Sequence, residues 1–339
     1  MFHQTPVKSV VIALLFAGMT AYAVGAGFYE RELITRAAAL IILAISLDLV
    51  AGYGGMISLC HGAMFGIGAY VFAALTATQG VPPSGALVAA IAGGALFGLF
   101  VGAVTARTRG IFFIMATLAF GQMAYVYVFE NRALGGSDGL SGVKRLDLSP
   151  LGIDLDGSLQ FALFATALAA LAYAIAACLL RSGFGRTLVG IRSNEARMRA
   201  LGLPVRRYKA AAFAISGALA GCGGTLAAQQ TMFVSPDMMS WTTSGEALVV
   251  VILGGLGTLV GPALGAVFFV FLQHEVSSIT RHWHMVIGIV LILVVMAGNR
   301  GLYGQLEHML GRRRAVAPAL SPLEEPALSP LEEKEARHA

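Results

Sequence analysis

Residues 181–209 read RSGFGRTLVGIRSNEARMRALGLPVRRYK and form a long polar stretch within a largely apolar chain. The stretch carries eight basic residues and one acidic residue, Glu195. Apolar runs long enough to cross a bilayer lie on both sides of it, and basic loops between membrane helices are typical of the cytoplasmic side. The sequence therefore predicts a cytoplasmic loop here, and the other segments can be oriented from it.

One part of this loop favours a short surface helix. The run from Asn194 to Leu201 is compatible with a helix, Ser193 precedes it, and Gly202 with Pro204 ends it. Two interpretations are open at this point. Arg-rich loops often bind anionic lipid headgroups, and a short basic helix can equally dock on a cytoplasmic partner.

Composition places the chain in a membrane. Of its 339 residues, 57% are hydrophobic and 12% are charged, with a mean hydropathy of +0.77, whereas about 25% of residues are charged in soluble domains. The net charge of +5 is concentrated in segments predicted to be cytoplasmic, so it indicates topology rather than nucleic-acid binding. Cys60, Cys178 and Cys222 have unrelated spacings, which argues against a disulfide framework or a metal cluster.

Hydropathy predicts an all-α polytopic membrane protein with about nine to ten membrane segments, because roughly 20 apolar residues cross a bilayer as a helix. The predicted spans are 10–28, 37–51, 56–78, 84–105, 111–129, 159–180, 210–228 and 285–297, with shorter runs at 247–253 and 262–272. The two short runs form either one broken helix or a re-entrant pair, and the parity of crossings favours the pair. The first run has an A-x-A pattern typical of signal peptides, but its length favours an uncleaved anchor.

The membrane domain is predicted to cover residues 1–316, and a different kind of segment follows at 317–339. This tail repeats the octapeptide PALSPLEE, at 318–325 and again at 326–333. A tandem repeat rich in Pro and Glu has too little apolar surface to fold. We therefore predict a disordered cytoplasmic tail.

Two glycine-rich interruptions share the pattern GG-x-x-[ST]-L-x-x-x-A and suggest an internal repeat. The first contains Gly54, Gly55 and Ser58, and the second contains Gly254, Gly255 and Thr258. Matching interruptions in two halves of a chain point to a transport site, because unwound backbone is tolerated in a membrane only where it is buried or lines a cavity. Chance similarity and close helix packing through small residues are the alternatives.

Polar side chains at membrane depth add candidates for a substrate pathway. An ionised group in hydrocarbon costs about 2.5 kcal/mol or more, so such groups usually face a bundle interior or a water-filled cavity. Each could also be a helix cap or an interhelical hydrogen bond, which is the favoured account for Glu246. The predicted pathway residues are Asp48, Gly54, Gly55, Ser58, His61, Gln122, Gly254, Gly255 and Thr258.

The sequence lacks the motifs that would give the chain chemistry of its own. It contains no G-x-x-x-x-G-K-[ST] phosphate loop, no H-E-x-x-H and no paired C-x-x-C. Its polar residues are too scattered to form a clustered catalytic set. We therefore predict a transport protein with no cofactor and no metal, and not an enzyme.

Four stretches together resemble the permease subunits of branched-chain amino acid ABC importers, in their LivM-like branch. They are 48–70 (DLVAGYGGMISLCHGAMFGIGAY), 109–122 (RGIFFIMATLAFGQ), 185–209 (GRTLVGIRSNEARMRALGLPVRRYK) and 246–266 (EALVVVILGGLGTLVGPALGA). The resemblance implies that the helix around residues 194–202 docks on a cytoplasmic ATPase. The residues expected to couple the chain to that ATPase are Arg192, Asn194, Glu195, Ala196, Ala200, Leu201 and Gly202.

The resemblance also implies the partners and the mechanism. The expected assembly contains a second homologous permease subunit, two cytoplasmic ATPase subunits and an external solute-binding protein, and it lies in the bacterial inner membrane as a multi-pass complex. The expected activity is alternating-access import of branched-chain amino acids. Asp48 replaces a common family Asn, and Leu134 and Asp138 depart from a T-G-G-S-N-G pattern, so urea and short amides are alternative solutes. An ion-coupled secondary carrier that uses Asp48 or His61 is the runner-up.

Overall fold

The computed structural model describes residues 6–147, 154–280, 282, 285–286, 288–289, 292 and 301–304. Over these residues the chain is mostly helical, and eight helices are long and apolar enough to cross a membrane. The chain is therefore an all-α polytopic membrane protein, as the sequence predicts. The predicted tail and most of the predicted last span lie outside the described residues.

Eleven α-helices and one small sheet have defined bounds within the described residues. In chain order the helices are α1 Pro6–Gly25, α2 Phe28–Asp48, α3 His61–Ala73, α4 Pro83–Thr105, α5 Ile111–Glu130, α6 Ser158–Arg181, α7 Gly183–Ser193, α8 Glu195–Ala200, α9 Val205–Thr231, α10 Trp241–Gly254 and α11 Val260–Ile279. One π turn, Leu49–Tyr53, extends α2, and another, Ala74–Thr78, extends α3. Strand β1 (Leu140–Ser141) pairs antiparallel with β2 (Phe233–Val234), which the sequence does not predict.

Helix α2 forms the centre of the bundle and begins earlier than expected. Of the span Phe28–Tyr53, 83% is buried, against 17% of the span in α1. The sequence places the start of this span at residue 37, because charged residues interrupt the apolar run before it. The structure pairs one of these charges inside the protein: Arg31 donates to Ala23 O at 3.1 Å and to Ser158 Oγ at 3.2 Å. That pairing allows the helix to start at Phe28.

Contacts between helix termini define two ends of the bundle. Gln230 near the end of α9 donates to Glu32 O near the start of α2, and Tyr29 Oη lies 3.3 Å from His274 Nδ1 near the end of α11. We call this the opposite end. The other end, which we call the basic end, contains Arg109 and the loop of residues 181–209. By the charge rule the basic end faces the cytoplasm.

Helices α10 and α11 form an antiparallel hairpin. A Cβ built on Gly265 would lie 2.5 Å from Val250 O, and one built on Gly254 would lie 2.0 Å from Gly261 O, so the two helices run in opposite directions and almost touch. The turn between them lies at the basic end, and α11 returns to the opposite end beside Tyr29. This geometry agrees with the predicted pairing of the two runs and not with one broken helix. Helix α11 is longer than its predicted run of 262–272, and its 20 residues are enough to cross a membrane, whereas α10 is a shorter apolar helix.

Helices α4 and α9 also pack with their backbones almost in contact. A Cβ built on Gly98 would lie 2.3 Å from Phe213 O, and one built on Gly94 would lie 2.4 Å from Gly217 O. Small residues allow backbones to approach this closely, which strengthens packing where no hydrophobic force acts between helices in lipid. Because α4 and α9 flank the loops at the basic end, their packing fixes where those loops lie.

Candidate functional site

The loop of residues 181–209 folds into two helices, where the sequence predicts one. Helix α7 was missed because Gly183 and Gly185 resemble loop residues, but Ser182 caps it by accepting a 3.2 Å hydrogen bond from Phe184 N. Helix α8 is the predicted surface helix. Asn194 caps its start by accepting from Arg197 N at 2.9 Å. The predicted run of 194–201 is thus shorter by one residue at each end, with Asn194 as the cap.

Gly202 ends α8 with a left-handed residue. Its φ is +79°, its N–H donates to Arg199 O at 2.9 Å, and Leu203 N donates to Met198 O at 3.2 Å. Gly is the residue that adopts this conformation without a steric cost. Gly202 therefore shapes the end of α8.

Glu195, the first residue of α8, lies at the centre of a cluster of three cations. Its Oε2 lies 3.1 Å from Lys209 Nζ and 3.0 Å from Arg109 Nε, and its Oε1 accepts a hydrogen bond from Arg199. Only 6% of the Lys209 side chain is exposed, against 56% for Arg109, so Lys209 makes the contact that solvent screens least. The cluster ties α8 to the start of α9 and to the loop between α4 and α5.

The same cluster sets the ionisation of Glu195. Partial burial would by itself raise the pKa of its carboxyl. The hydrogen bond from Lys209 and the charges of Lys209, Arg109 and Arg199 outweigh that effect, and the pKa lies below its ordinary value. Glu195 is therefore an anion near neutral pH and anchors the loop helix to the bundle.

The outer face of α8 is available to another molecule. The predicted coupling residues Ala196, Ala200 and Gly202 are exposed, and Leu201 keeps 70% of its surface exposed. Exposed arginines surround them, including Arg197 and Arg206. Among the seven predicted coupling residues, Asn194, Glu195 and Gly202 thus build the helix or anchor it, and Ala196, Ala200 and Leu201 present its free surface.

Both predicted interruptions are real breaks in helices. The α2 segment stops at Tyr53 and α3 starts at His61, with non-helical backbone over 54–60; α10 stops at Gly254 and α11 starts at Val260. The predicted third span, 56–78, is therefore helical only from His61. Amides at the end of the first break and at the start of α3 find side-chain acceptors: Leu59 N donates to Thr117 Oγ1 at 3.2 Å, and Gly62 N donates to Ser244 Oγ at 2.8 Å.

The side chain of Asp48, at the end of α2 ahead of the first break, contacts the second break. It is completely buried at the end of α2, and it accepts hydrogen bonds from Gly257 N at 2.6 Å and Leu259 N at 3.2 Å. Leu259 has a positive φ of +61°, which is unfavourable for a branched residue. We call the contact of Asp48, Gly52, Gly257 and Leu259 the break junction. Both carboxylate oxygens of Asp48 are engaged in the junction in this conformation.

Arg192 connects the break junction to the loop at the basic end. It lies in the last turn of α7 and donates through Nη1 to Gly52 O. A Cβ built on Gly257 would lie 3.2 Å from the same Nη1, and one built on Gly55 would lie 2.8 Å from Arg192 Cγ. One side chain of the loop therefore touches both helix breaks.

His61 takes part in a buried chain of hydrogen bonds. Its Nδ1 lies 3.2 Å from Ser58 Oγ and its Nε2 lies 2.8 Å from Ser216 Oγ, while Ser216 Oγ donates to Ser46 O at 2.7 Å. Because the Ser216 hydroxyl has one proton and gives it to Ser46 O, the proton in the other contact belongs to His61 Nε2. His61 and Ser58 thus connect α2, α3 and α9.

The remaining predicted pathway residues lie in different surroundings. Gly54 and Gly55 line a cavity of 280 Å³ at the basic end, together with Arg109, Arg192 and Glu195. Thr258 donates to Gly255 O and accepts from Gly261 N, which caps the start of α11. Gly254 packs against Gly261 inside the hairpin. Gln122 is half-buried on α5 and is not part of the break junction.

Several residues of the site do not stand out in the sequence. Gly52 and Gly257 are two glycines among 42, and their contact appears only when the breaks are brought together. Lys209 and Arg109 resemble ordinary basic loop residues. In the part of the chain that the structure describes, no group of three His, Cys, Asp or Glu side chains could hold a metal ion.

Comparison with known proteins identifies the family of the chain. Residues 31–296 match the family described as branched-chain amino acid transport system / permease component. The permease protein LivM of Escherichia coli, from a high-affinity branched-chain amino acid transport system, is 30% identical over 304 residues, covering 82% of this chain and 70% of that protein. The probable ABC transporter permease protein y4mJ of Sinorhizobium fredii is 30% identical over 287 residues, covering 78% and 79%.

More distant relatives include the autoinducer 2 import system permease protein LsrC of an Enterobacter species, 28% identical over 309 residues, covering 86% of this chain and 83% of that protein. No solved structure shows a significant match. The family match covers well over half of the chain. The chain therefore belongs to the family of branched-chain amino acid transport permease components and is an ABC importer permease of the LivM-like kind.

Proposed function

We propose that this chain is the permease subunit of an ATP-driven importer of branched-chain or related amino acids in the bacterial inner membrane. Its partners are a second homologous permease, two cytoplasmic ATPase subunits and an external solute-binding protein. The observation that carries the proposal is the Arg192 contact, because it links a loop with an exposed docking helix directly to both helix breaks.

The proposed coupling runs through three steps. An ATPase subunit binds the exposed face of α8, around Ala196, Ala200 and Leu201. Movement of α8 is passed to α9 and the α4–α5 loop through the Glu195 cluster, and to the breaks through Arg192. A ligand can shift a conformational equilibrium only by binding the two states differently, so α8 must contact the ATPase differently before and after ATP closure.

The substrate pathway proposed for this function includes the residues of both breaks. This proposal is supported by Asp48, which holds the second break against the end of α2, and by Gly54 and Gly55, which line the 280 Å³ cavity. Opening the pathway requires Asp48 to release Gly257 and Leu259, because their amides hold the hairpin turn against α2. Ser58, His61, Gln122 and Thr258 are proposed to line or support the path once the breaks part.

A photo-crosslinking experiment tests the docking step. The photoreactive residue p-benzoylphenylalanine replaces Leu201, which is 70% exposed at the basic end, or Met232, which is 45% exposed at the opposite end. Illumination in membranes from the native source should join a nucleotide-binding subunit to the Leu201 variant and not to the Met232 variant. Capture of lipid alone at Leu201 would support the headgroup-anchor interpretation and contradict docking.

A further inference from the structure

A second cavity lies at the opposite end of the bundle, away from the break junction. It has a volume of 410 Å³ and is lined mainly by α2, α9, α10 and α11, with Phe65 of α3 and Met238 of the turn before α10. Much of its wall is apolar, formed by Leu33, Leu40, Leu43, Phe65, Met238 and Phe269. Small-molecule sites usually have about 300–1,000 Å³ and combine apolar walls with a few polar groups. This cavity fits that description and is large enough for an amino acid.

Arg36 supplies a positive charge to the cavity. It lies two turns into α2, well within a membrane-spanning helix, and its side chain is exposed. No hydrogen bond or ion pair to its guanidinium is present among the described residues. An arginine in lipid costs about 2.5–3.5 kcal/mol or more, so a guanidinium at this depth is expected to face water or a charged ligand.

Gln273 and Glu246 line the same cavity from the hairpin side. Gln273, on α11, is 9% exposed, and its Oε1 is buried without a hydrogen-bond partner in the described structure. A buried acceptor left unsatisfied costs about 1–3 kcal/mol, so a missing donor is expected beside it. Glu246, on α10, adds a carboxylate. Glu32 also lines the cavity, one turn nearer to the start of α2 than Arg36.

From these groups we infer that the 410 Å³ cavity is a binding site for a zwitterionic α-amino acid with an apolar side chain, an inference that rests on the proposed function. Arg36 binds the carboxylate, since a guanidinium pairs with carboxylates in a bidentate manner. The ammonium group donates to Gln273 Oε1 and Glu246. The aliphatic side chain lies against Leu33, Leu40 and Phe269. The site is at the end that receives solute from the external binding protein.

A competition experiment tests each recognition element separately. The full chain is purified with the subunits that co-purify with it and placed in nanodiscs, and binding of tritiated L-leucine is measured. The competitors are L-leucinamide, which lacks the carboxylate, and 4-methylpentanoate, which lacks the ammonium group. The wild-type complex should prefer leucine to each competitor by about tenfold or more, because leucinamide has no carboxylate for the Arg36 guanidinium and 4-methylpentanoate leaves the buried Gln273 Oε1 without a donor.

Each cavity variant should lose the preference for leucine over one of the two competitors. Arg36→Gln should bring leucine and leucinamide to nearly equal affinity while keeping the preference over 4-methylpentanoate. Glu246→Gln should reduce the preference over 4-methylpentanoate and keep that over leucinamide. The matched controls Arg132→Gln and Glu275→Gln alter exposed residues that do not line the cavity, and they should behave like the wild type. A general folding defect would weaken all ligands together without changing the ratios.

Two outcomes would overturn the inference: no saturable leucine binding by the wild-type complex, or unchanged preferences in both variants. Uptake by the same preparation in proteoliposomes is measured in parallel. ATP-dependent leucine uptake with the same KM in wild type and Arg36→Gln would leave the proposed function standing and place the site elsewhere. Leucine uptake that does not need ATP would instead contradict the proposed function.

Discussion

The carboxylate of Asp48 accepts a 2.6 Å hydrogen bond from the backbone N–H of Gly257, a residue 209 positions further along the chain. Its second oxygen accepts from Leu259 N. The buried Asp48 side chain at the end of α2 thus holds the turn of the α10–α11 hairpin at the basic end. A residue that ties the end of α2 to the second break is suited to control whether the two breaks part.

Removing this acceptor should loosen the hairpin. Asp48→Ala leaves two buried amides without partners, at about 1–3 kcal/mol each, and should lower both the free energy of unfolding and the rate of uptake. Asp48→Asn keeps one acceptor oxygen and should have a smaller effect. Chemical unfolding of the purified chain measures the difference, with the exposed Asp138→Ala as control. Wild-type stability in Asp48→Ala would show that the hairpin is held by other contacts.

Gly52 allows the break junction to close. A Cβ at this position would lie 2.0 Å from Asp48 Oδ1 and 2.6 Å from Gly257 N. Gly52→Ala should therefore displace the carboxylate or the hairpin, at a cost of about 1–3 kcal/mol for overpacking, and should reduce uptake by the assembled complex. Gly245→Ala meets nothing within 4 Å and is the matched control. Equal uptake by both variants would contradict a closed junction at Gly52.

Most of the fold could be predicted from the sequence, because a helix that crosses the lipid core needs a long run of mostly apolar residues. Helices α4, α5 and α6 begin and end within a residue or so of the predicted bounds. The start of α2 was missed because Arg31 and Arg36 interrupt the run, and a sequence does not reveal that Arg31 is paired with Ala23 O and Ser158.

Only part of the candidate site could be predicted from the sequence. The glycine patterns predict the two helix breaks, and Gly202 predicts the end of α8. The partners of Asp48 could not be found, because they are backbone amides of a distant turn and carry no side-chain signal. The anchoring role of Glu195 was also hidden, since it depends on Lys209 and Arg109 meeting from separate segments.

Loss of the Glu195 charge should weaken the anchoring of α8. Glu195→Gln leaves the buried Lys209 ammonium without an anion and should cost about 1.5–3 kcal/mol of unfolding free energy at pH 7, as expected for a hydrogen bond to a charged group. Uptake should fall while ATP hydrolysis by the partner continues. Glu275→Gln removes an exposed carboxylate and should change neither quantity.

The pH dependence of stability in the wild type and in Glu195→Gln provides a further test. The pKa of Glu195 is lower in the folded chain than its ordinary value of about 4.3. Such a group stabilises the fold above the unfolded-state pKa, and the contribution is lost as the pH falls through the folded-state pKa. The stability difference between wild type and Glu195→Gln should therefore be full at pH 7 and shrink only below about pH 4. A difference that is constant from pH 7 to pH 3 would be inconsistent with an ionised Glu195.

Close packing of α4 on α9 should limit substitution at Gly98. A Cβ there would lie 2.3 Å from Phe213 O, whereas one on Gly85 of the same helix would lie 3.6 Å from Val81 Cγ1. Both Gly→Ala changes gain helix propensity, so their difference isolates the contact. Gly98→Ala should be less stable than Gly85→Ala by about 1–3 kcal/mol, measured by unfolding in detergent. A Gly98→Ala chain as stable as Gly85→Ala would mean that the helices are further apart.

The central claim is that this chain forms a membrane path and takes its driving force from an ATPase bound at α8. The most direct measurement is uptake of labelled leucine by proteoliposomes that contain the chain, its co-purifying subunits and the external binding protein. We predict uptake only when ATP is trapped in the lumen, unaffected by a proton ionophore and abolished by Leu201→Asp. Uptake that proceeds without ATP and stops with the ionophore would contradict the account.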